Sequence, residues 1–227
     1  MSFNDSDWAY LSPRVTVLER DVVLRLVATL SLNVPGSVIE FGVANGDSTR
    51  TLRQALGRSE AKRMFACDSF KGLTEKYENL EVGTFACDPP RIAGVEIVAG
   101  FFDDSLTPDL AARVGRVALA SLDADLYSST LCALTWLSPL LGSGSLLLFD
   151  EFLGEGESEK RAFEQWSRQT GIRTIKVAEF LREPSGRGSK LDRRSLFQVV
   201  GTEELPIQEI GLRTRISRRV KRLLARK

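Results

Sequence analysis

The sequence predicts an α/β fold: a doubly wound, mostly parallel sheet of seven strands with an antiparallel closing strand. Three observations carry this. Apolar runs of strand length alternate with stretches of helical period. Several runs end on an acid or a glycine-bearing turn, as strands do where a sheet meets its ligand edge. The last two runs are separated by a glycine- and serine-rich turn, the pattern of a closing hairpin.

The elements follow in order. Residues 14–32 are apolar at Val15, Leu18, Val22, Leu26 and Leu30, which predicts a helix that Pro35-Gly36 stops. Val38-Ile-Glu-Phe-Gly42 is the first strand, and Asn45-Gly-Asp-Ser leads into a helix carrying Thr51, Leu52 and Leu56. Met64–Asp68, Val95–Ala99, Val117–Asp123 and Ser145–Phe149 are the next four strands, with helical patterns at 109–114, 128–137 and 158–170. Thr174–Glu179 and Ser195–Val200 form the closing pair around the turn Glu183-Pro-Ser-Gly-Arg-Gly-Ser-Lys190.

The 227 residues, 43% of them hydrophobic, suit one sizeable soluble domain. The expected division is an N-terminal helical segment over 1–33, the main domain over 34–202 and a basic tail over 203–227. The formal net charge is +1, but residues 212–227 hold eight basic residues and no acid, which leaves the rest of the chain at −7. Three cysteines without C-x-x-C spacing argue against a disulfide framework and a thiolate zinc site, and fit a reducing, cytoplasmic setting. The N-terminus lacks a signal-peptide pattern, and Ser138-Pro139 and Gly142-Ser-Gly144 break the apolar stretch 131–149 too often for a membrane span.

No histidine is present. That excludes a Ser-His-Asp triad, an H-E-x-x-H zinc site and an imidazole base, so acid–base work falls to carboxylates, Lys, Tyr or a metal-activated group. The turn Glu40-Phe-Gly42-Val-Ala-Asn-Gly46-Asp47 lets the backbone approach a ligand, yet it is neither G-x-G-x-x-G nor a phosphate-binding loop. Asp47 near the helix start would repel a pyrophosphate, so a cationic cofactor suits the loop better. Asp68 ends the second strand, where an acid can accept ribose hydroxyls. Taken singly, Glu40, Asp47 and Asp68 also read as a solvated acid, a helix cap and a turn residue.

Asp123, Asp150 and Glu151 end two strands joined by one βαβ unit. Together they offer hard oxygen ligands for Mg²⁺ or a similar ion, which could activate a substrate hydroxyl. Acids that only cap helices or solvate loops are the plain alternative.

Five segments in order, Val38-Ile-Glu-Phe-Gly-Val-Ala-Asn-Gly46, Asp68-Ser-Phe-Lys-Gly-Leu73, Gly100-Phe-Phe-Asp-Asp-Ser-Leu106, Asp123-Ala-Asp-Leu-Tyr-Ser-Ser-Thr130 and Leu148-Phe-Asp-Glu-Phe152, carry a family resemblance. The chain resembles class I S-adenosylmethionine-dependent methyltransferases, and within them the macrocin O-methyltransferase family, from about residue 34 to 200. The resemblance implies a Rossmann-like sheet and S-adenosyl-L-methionine as cofactor. It implies Glu40, Gly42 and Gly46 on the methionine side, Asp68 with Ser69 at the ribose, and Asp103 or Asp104 near the adenine. It puts Asp123, Asp150 and Glu151 at the Mg²⁺ positions, with Asp123 beside the reacting hydroxyl and Asp125 and Tyr127 in the same loop. Glu151 stands where the sugar methyltransferases usually have Asp, and a histidine base has no equivalent here.

The expected function is therefore metal-assisted O-methyl transfer to a hydroxyl of a small molecule or sugar. The alternatives are a metal-independent enzyme with a carboxylate or Tyr127 as base, and a non-catalytic cofactor-binding or scaffold protein. A homo-oligomer is expected. The tail places Ile216, Val220, Leu223 and Leu224 on one side of a helix ringed by basic residues, which suits an anionic membrane surface or a solvated or dimer-packing helix. Without interleaved aromatics, nucleic acid is the weakest partner.

Overall fold

Eight strands form one sheet in the computed structural model, which describes residues 15–57, 62–77, 79–153, 158–181 and 193–201. In chain order they are β1 (Val15–Val17), β2 (Ser37–Phe41), β3 (Met64–Asp68), β4 (Glu96–Ala99), β5 (Val117–Leu122), β6 (Leu141–Phe149), β7 (Arg173–Leu181) and β8 (Arg193–Gly201). The helices are α1 (Arg20–Ser31), α2 (Asp47–Ala55), α3 (Phe102–Ser105), α4 (Pro108–Val114), α5 (Tyr127–Leu137) and α6 (Ser158–Thr170). The strand order is β1-β7-β8-β6-β5-β2-β3-β4. β8 runs antiparallel between β6 and β7, and every other pairing is parallel. The expected seven-stranded sheet with its closing strand is thus β2 to β8, and the three-residue β1 extends it at the β7 edge.

The central strands β2 and β5 are buried at every position, as parallel strands covered on both faces must be. Alternation along them separates two layers of core. Ile39, Phe41, Ala120 and Leu122 face α4, α5 and α6, where Leu110, Leu134 and Trp166 pack on them. Val38 and Leu119 face the other way, onto Val23, Leu24 and Val27 of α1 and Leu52 of α2. Thr107 caps α4 by accepting from the Leu110 amide, and Pro108 supplies a pre-set first helical residue.

The N-terminal expectation is corrected in two ways. Residues 15–17 are a strand, and α1 begins at Arg20. Its buried stripe is Val23, Leu24, Val27, Ala28 and Ser31, whereas Val22, Leu26 and Leu30 are each more than 40% exposed. The helix has apolar residues on adjacent stripes, so a 3.6 period fits either, and contact with the sheet selects one. The turn 183–190 and the basic tail lie outside the described residues. Among the described residues, no helix is long and apolar enough to cross a membrane.

Candidate active site

The site lies at the C-terminal ends of β2 and β5, where the chain winds outward from β2 through β3 and β4 and then returns to start again on the other side of β2 with β5. This is the crevice in which open α/β sheets bind ligands. Gly42 follows β2 at φ +87°, and a Cβ there would sit 1.8 Å from the Asp123 carbonyl oxygen. The two strand ends approach closely because position 42 has no side chain. Asp123 N donates to Phe41 O at 2.9 Å and joins them.

Beyond Gly42 the loop is shaped by Asp68 on β3. Its Oδ2 accepts from the amides of Val43 (2.7 Å) and Ala44 (2.9 Å), and its Oδ1 from Phe70 N (2.8 Å). Ala44, Phe70 and Asp125 all take positive φ without being glycine. Such conformations persist only where surrounding structure enforces them, and here they gather around one cleft. Gly46, at φ +85°, begins α2.

Asp150 and Glu151 follow β6 between two ring anchors. Phe149 and Phe152 pack on each other at 5.2 Å and both on Phe197 of β8, which fixes where the two acids emerge. β8 pairs Ser195 with Phe149, so its neighbour Arg194 reaches Asp150. Arg194 Nε donates to Asp150 Oδ1 at 2.6 Å and Nη2 to Oδ2 at 3.4 Å. From α1, Arg20 Nη2 donates to Asp123 Oδ2, and its Nε lies 3.4 Å from Asp150 Oδ1. Glu151 Oε2 accepts from Tyr77 Oη at 3.1 Å, and its amide donates to Glu159 Oε2 on α6 at 2.9 Å.

Asp123, Glu159, Arg20 and Glu40 titrate away from their ordinary values. Burial, and then Asp150, push the Asp123 carboxyl well above its usual range, while Arg20 pulls it down. Glu159 is likewise raised, by burial and then by Asp123 and Asp150. Burial opposes the charge of Arg20, but Asp123 and Asp150 more than restore it, and its pKa lies above the ordinary value. Glu40 is fully buried and is pushed up to about 7 by burial, against hydrogen bonds from Thr49 and Ser48. Its Oε1 has no hydrogen-bond partner.

The cleft between the loop and the carboxylates holds about 310 Å³, within the range of small-ligand sites. Six acids line it, Asp47, Asp68, Asp123, Asp125, Asp150 and Glu151, against one base, Arg20. Phe101, Phe102 and Phe85 supply flat apolar wall.

The family described as "Methyltransferase domain" matches residues 39–152. The chain belongs to this methyltransferase family. It is 29% identical over 172 residues to the 8-demethyl-8-(2,3-dimethoxy-alpha-L-rhamnosyl)-tetracenomycin-C 4'-O-methyltransferase of Streptomyces olivaceus, covering 64% of this chain and 65% of that enzyme. The chain therefore spans just under two thirds of that relative's length. The fold is similar to that of the calicheamicin methyltransferase CalS11 (TM-score 0.58, 20% identity, 78% of this chain and 77% of that one). It is also similar to that of the O-methyltransferase NovP (TM-score 0.59, 20% identity, 80% of each chain).

In this methyltransferase fold the expected residues take different positions. Gly42, Asp68, Ser69, Asp123, Asp150 and Glu151 line the cleft. Glu40 lies buried on β2, bonded to Thr49, and is not part of the cleft wall. Gly46 is not part of the cleft wall either, and a Cβ there would meet Ile92 and Pro90. Asp103 and Asp104 fall on α3 outside the wall that Phe101 and Phe102 form, and Asp103 accepts from Cys132 Sγ at 3.4 Å. Tyr127 turns its hydroxyl to Gln165 and its ring to Arg161.

Arg20, Arg194, Glu159 and Tyr77 had no readable signal. An arginine opening a helix or a strand reads as solvated until the partner strand is known.

The donor set does not fit a divalent ion as it stands. Guanidinium groups already hold oxygens of Asp123 and Asp150, and Glu151 accepts from Tyr77. Among the described residues, no group of three or more His, Cys, Asp or Glu side chains is arranged to hold a metal.

Proposed function

We propose that the chain is an S-adenosylmethionine-dependent O-methyltransferase acting on a hydroxyl of a sugar or small molecule. One observation carries the reading: a glycine loop and a half-buried, proton-affine Asp123 face each other across an acidic cleft at the switch point of the sheet. Six acids against one base favour a sulfonium cation over a dinucleotide, whose pyrophosphate they would repel. The relative in Streptomyces olivaceus is named for methylation of a rhamnosyl hydroxyl, which supports a deoxysugar hydroxyl as acceptor.

The chemistry needs few parts. Asp68 shapes the loop that receives the methionine end, Gly42 lets the backbone close on it, and the phenylalanines at 101 and 102 offer a face for adenine. Ser69 stands beside the ribose in this reading. Asp123 accepts the hydroxyl proton as the oxygen attacks the methyl carbon, the S–C bond breaks, and its electron pair stays on sulfur. Base action of this kind contributes about 10²–10⁴-fold, and alignment of the two reactants supplies much of the rest. Mg²⁺, expected from the three strand-end acids, has no assigned step in this arrangement.

The test is calorimetric binding of S-adenosylhomocysteine, followed by transfer of labelled methyl groups from S-adenosylmethionine into fractionated glycans, lipids and small molecules. Rhamnosylated acceptors come first. No cofactor binding sinks the reading; binding without incorporation into any fraction leaves the non-catalytic alternative. Oligomeric state and liposome flotation with and without residues 212–227 test the expected homo-oligomer and the role of the tail.

A further inference from the structure

We propose that Arg20 takes the place of a divalent cation between Asp123 and Asp150, so that methyl transfer by this chain needs no metal. The inference rests on the O-methyltransferase reading and deepens it.

The geometry is specific. Arg20 donates to Asp123 from one end of its guanidinium and brings the other within 3.4 Å of Asp150, so a single cation bridges the two strand-end acids. The Nε that faces Asp150 makes no hydrogen bond. Arg20 is delivered by a packed element: Val23, Leu24, Val27 and Ala28 of the same helix are buried against the sheet. Asp150 is held a second time by Arg194, which is 1% exposed and grips both carboxylate oxygens.

Charge gives the same result. Asp123 and Asp150 are each already faced by a guanidinium, so a dication would have to displace a cation to reach them and would meet Arg20 as a like charge. Mg²⁺ also demands near-octahedral oxygen donors and gives up water reluctantly. A guanidinium needs neither, and it cannot be deprotonated in a protein. Arg20 lines the cleft, so its charge stands where negative charge develops on the acceptor oxygen. The step balances without an ion: the O–C bond forms as the C–S bond breaks, the electron pair goes to sulfur, and the hydroxyl proton passes to Asp123 and then to water. Arg20 has two tasks in this account: it holds Asp123 and Asp150 in place, and its cation faces the acceptor oxygen as negative charge develops there.

The test uses the full chain with S-adenosylhomocysteine bound and Mn²⁺ as the probe, followed by electron paramagnetic resonance. Wild type is expected to show no stoichiometric Mn²⁺ site. Arg20→Met, which frees the carboxylates, is expected to gain one, and Arg20→Lys, which keeps a cation there, is not. With an acceptor in hand, wild-type turnover is unchanged by EDTA or Mg²⁺, and Arg20→Met loses about 10²–10³ in kcat, the cost of removing one transition-state donor. A stoichiometric Mn²⁺ site in wild type, or turnover abolished by EDTA, overturns the proposal. So does unchanged Mn²⁺ binding in an Arg20→Met protein that melts like wild type. Failure to bind S-adenosylhomocysteine sinks the methyltransferase reading instead, so the two failures are distinct.

Discussion

Arg194 on β8 and Asp150 after β6 form a buried ion pair, Nε to Oδ1 at 2.6 Å, at the edge of the cleft that Asp150 lines. Both are buried, so neither charge is well hydrated. The pair ties the antiparallel closing strand to the strand end that carries two of the site's acids. Arg194→Leu leaves Asp150 without this partner and is expected to cost about 3–5 kcal/mol in urea denaturation. Arg194→Leu combined with Asp150→Leu recovers much of that loss, because the uncompensated charge is gone. A single variant as stable as wild type would show that the pair contributes nothing.

Asp123→Asn keeps the shape of the site and removes the proton acceptor. Turnover is expected to fall by about 10²–10⁴-fold while the affinity for S-adenosylhomocysteine stays within a few-fold. Calorimetry and labelled-methyl transfer on one preparation separate the two effects. Full activity in this variant refutes Asp123 as the base.

Glu40 gives the stability a pH dependence. Its pKa is raised from 4.5 in the unfolded chain to about 7 in the fold, so the folded state holds the proton more tightly. That contribution is fully present below pH 4.5 and is lost as the pH rises through about 7. The loss is about 3 kcal/mol for a shift of this size. Glu40→Gln cannot ionise, so its unfolding free energy is expected to change less than that of wild type across the same window. Parallel pH profiles for the two proteins would rule this out.

The rotation of α1 is testable by two truncations of one chemistry. Leu24→Ala, at a buried position, is expected to cost about 2–5 kcal/mol. Leu26→Ala, two residues on and 41% exposed, stays within about 0.5 kcal/mol. Equal effects would mean that the helix packs by the other stripe.

Much of the cleft was legible because strand ends are legible. Val117–Leu122 and Leu146–Phe149 read as strands from their apolar runs, and Asp123, Asp150 and Glu151 had to emerge together once one helix joined those strands. Gly42 was legible as a turn glycine, and its contact with the Asp123 carbonyl explains why no side chain fits. The apolar wall of the cleft was less so. The family resemblance pointed to Asp103 and Asp104, yet the cleft takes Phe101 and Phe102, because a short helix turns the acids away.

By itself the sequence determined the α/β class, the order of strands β2 to β8 along the chain, the antiparallel closing strand and the edge at which the acids gather. Those follow from local period and from chain continuity, which act over a few residues at a time. Only the tertiary structure decided which charges meet. Arg20 is 103 residues from Asp123, and Arg194 is 44 from Asp150, so no local pattern could pair them. Full burial of the Arg194 pair and half-burial of the Arg20 pair then gave the pairings their consequence: a carboxylate drawn away from water is protonated or held by a cation. The fold supplies two arginines for that purpose.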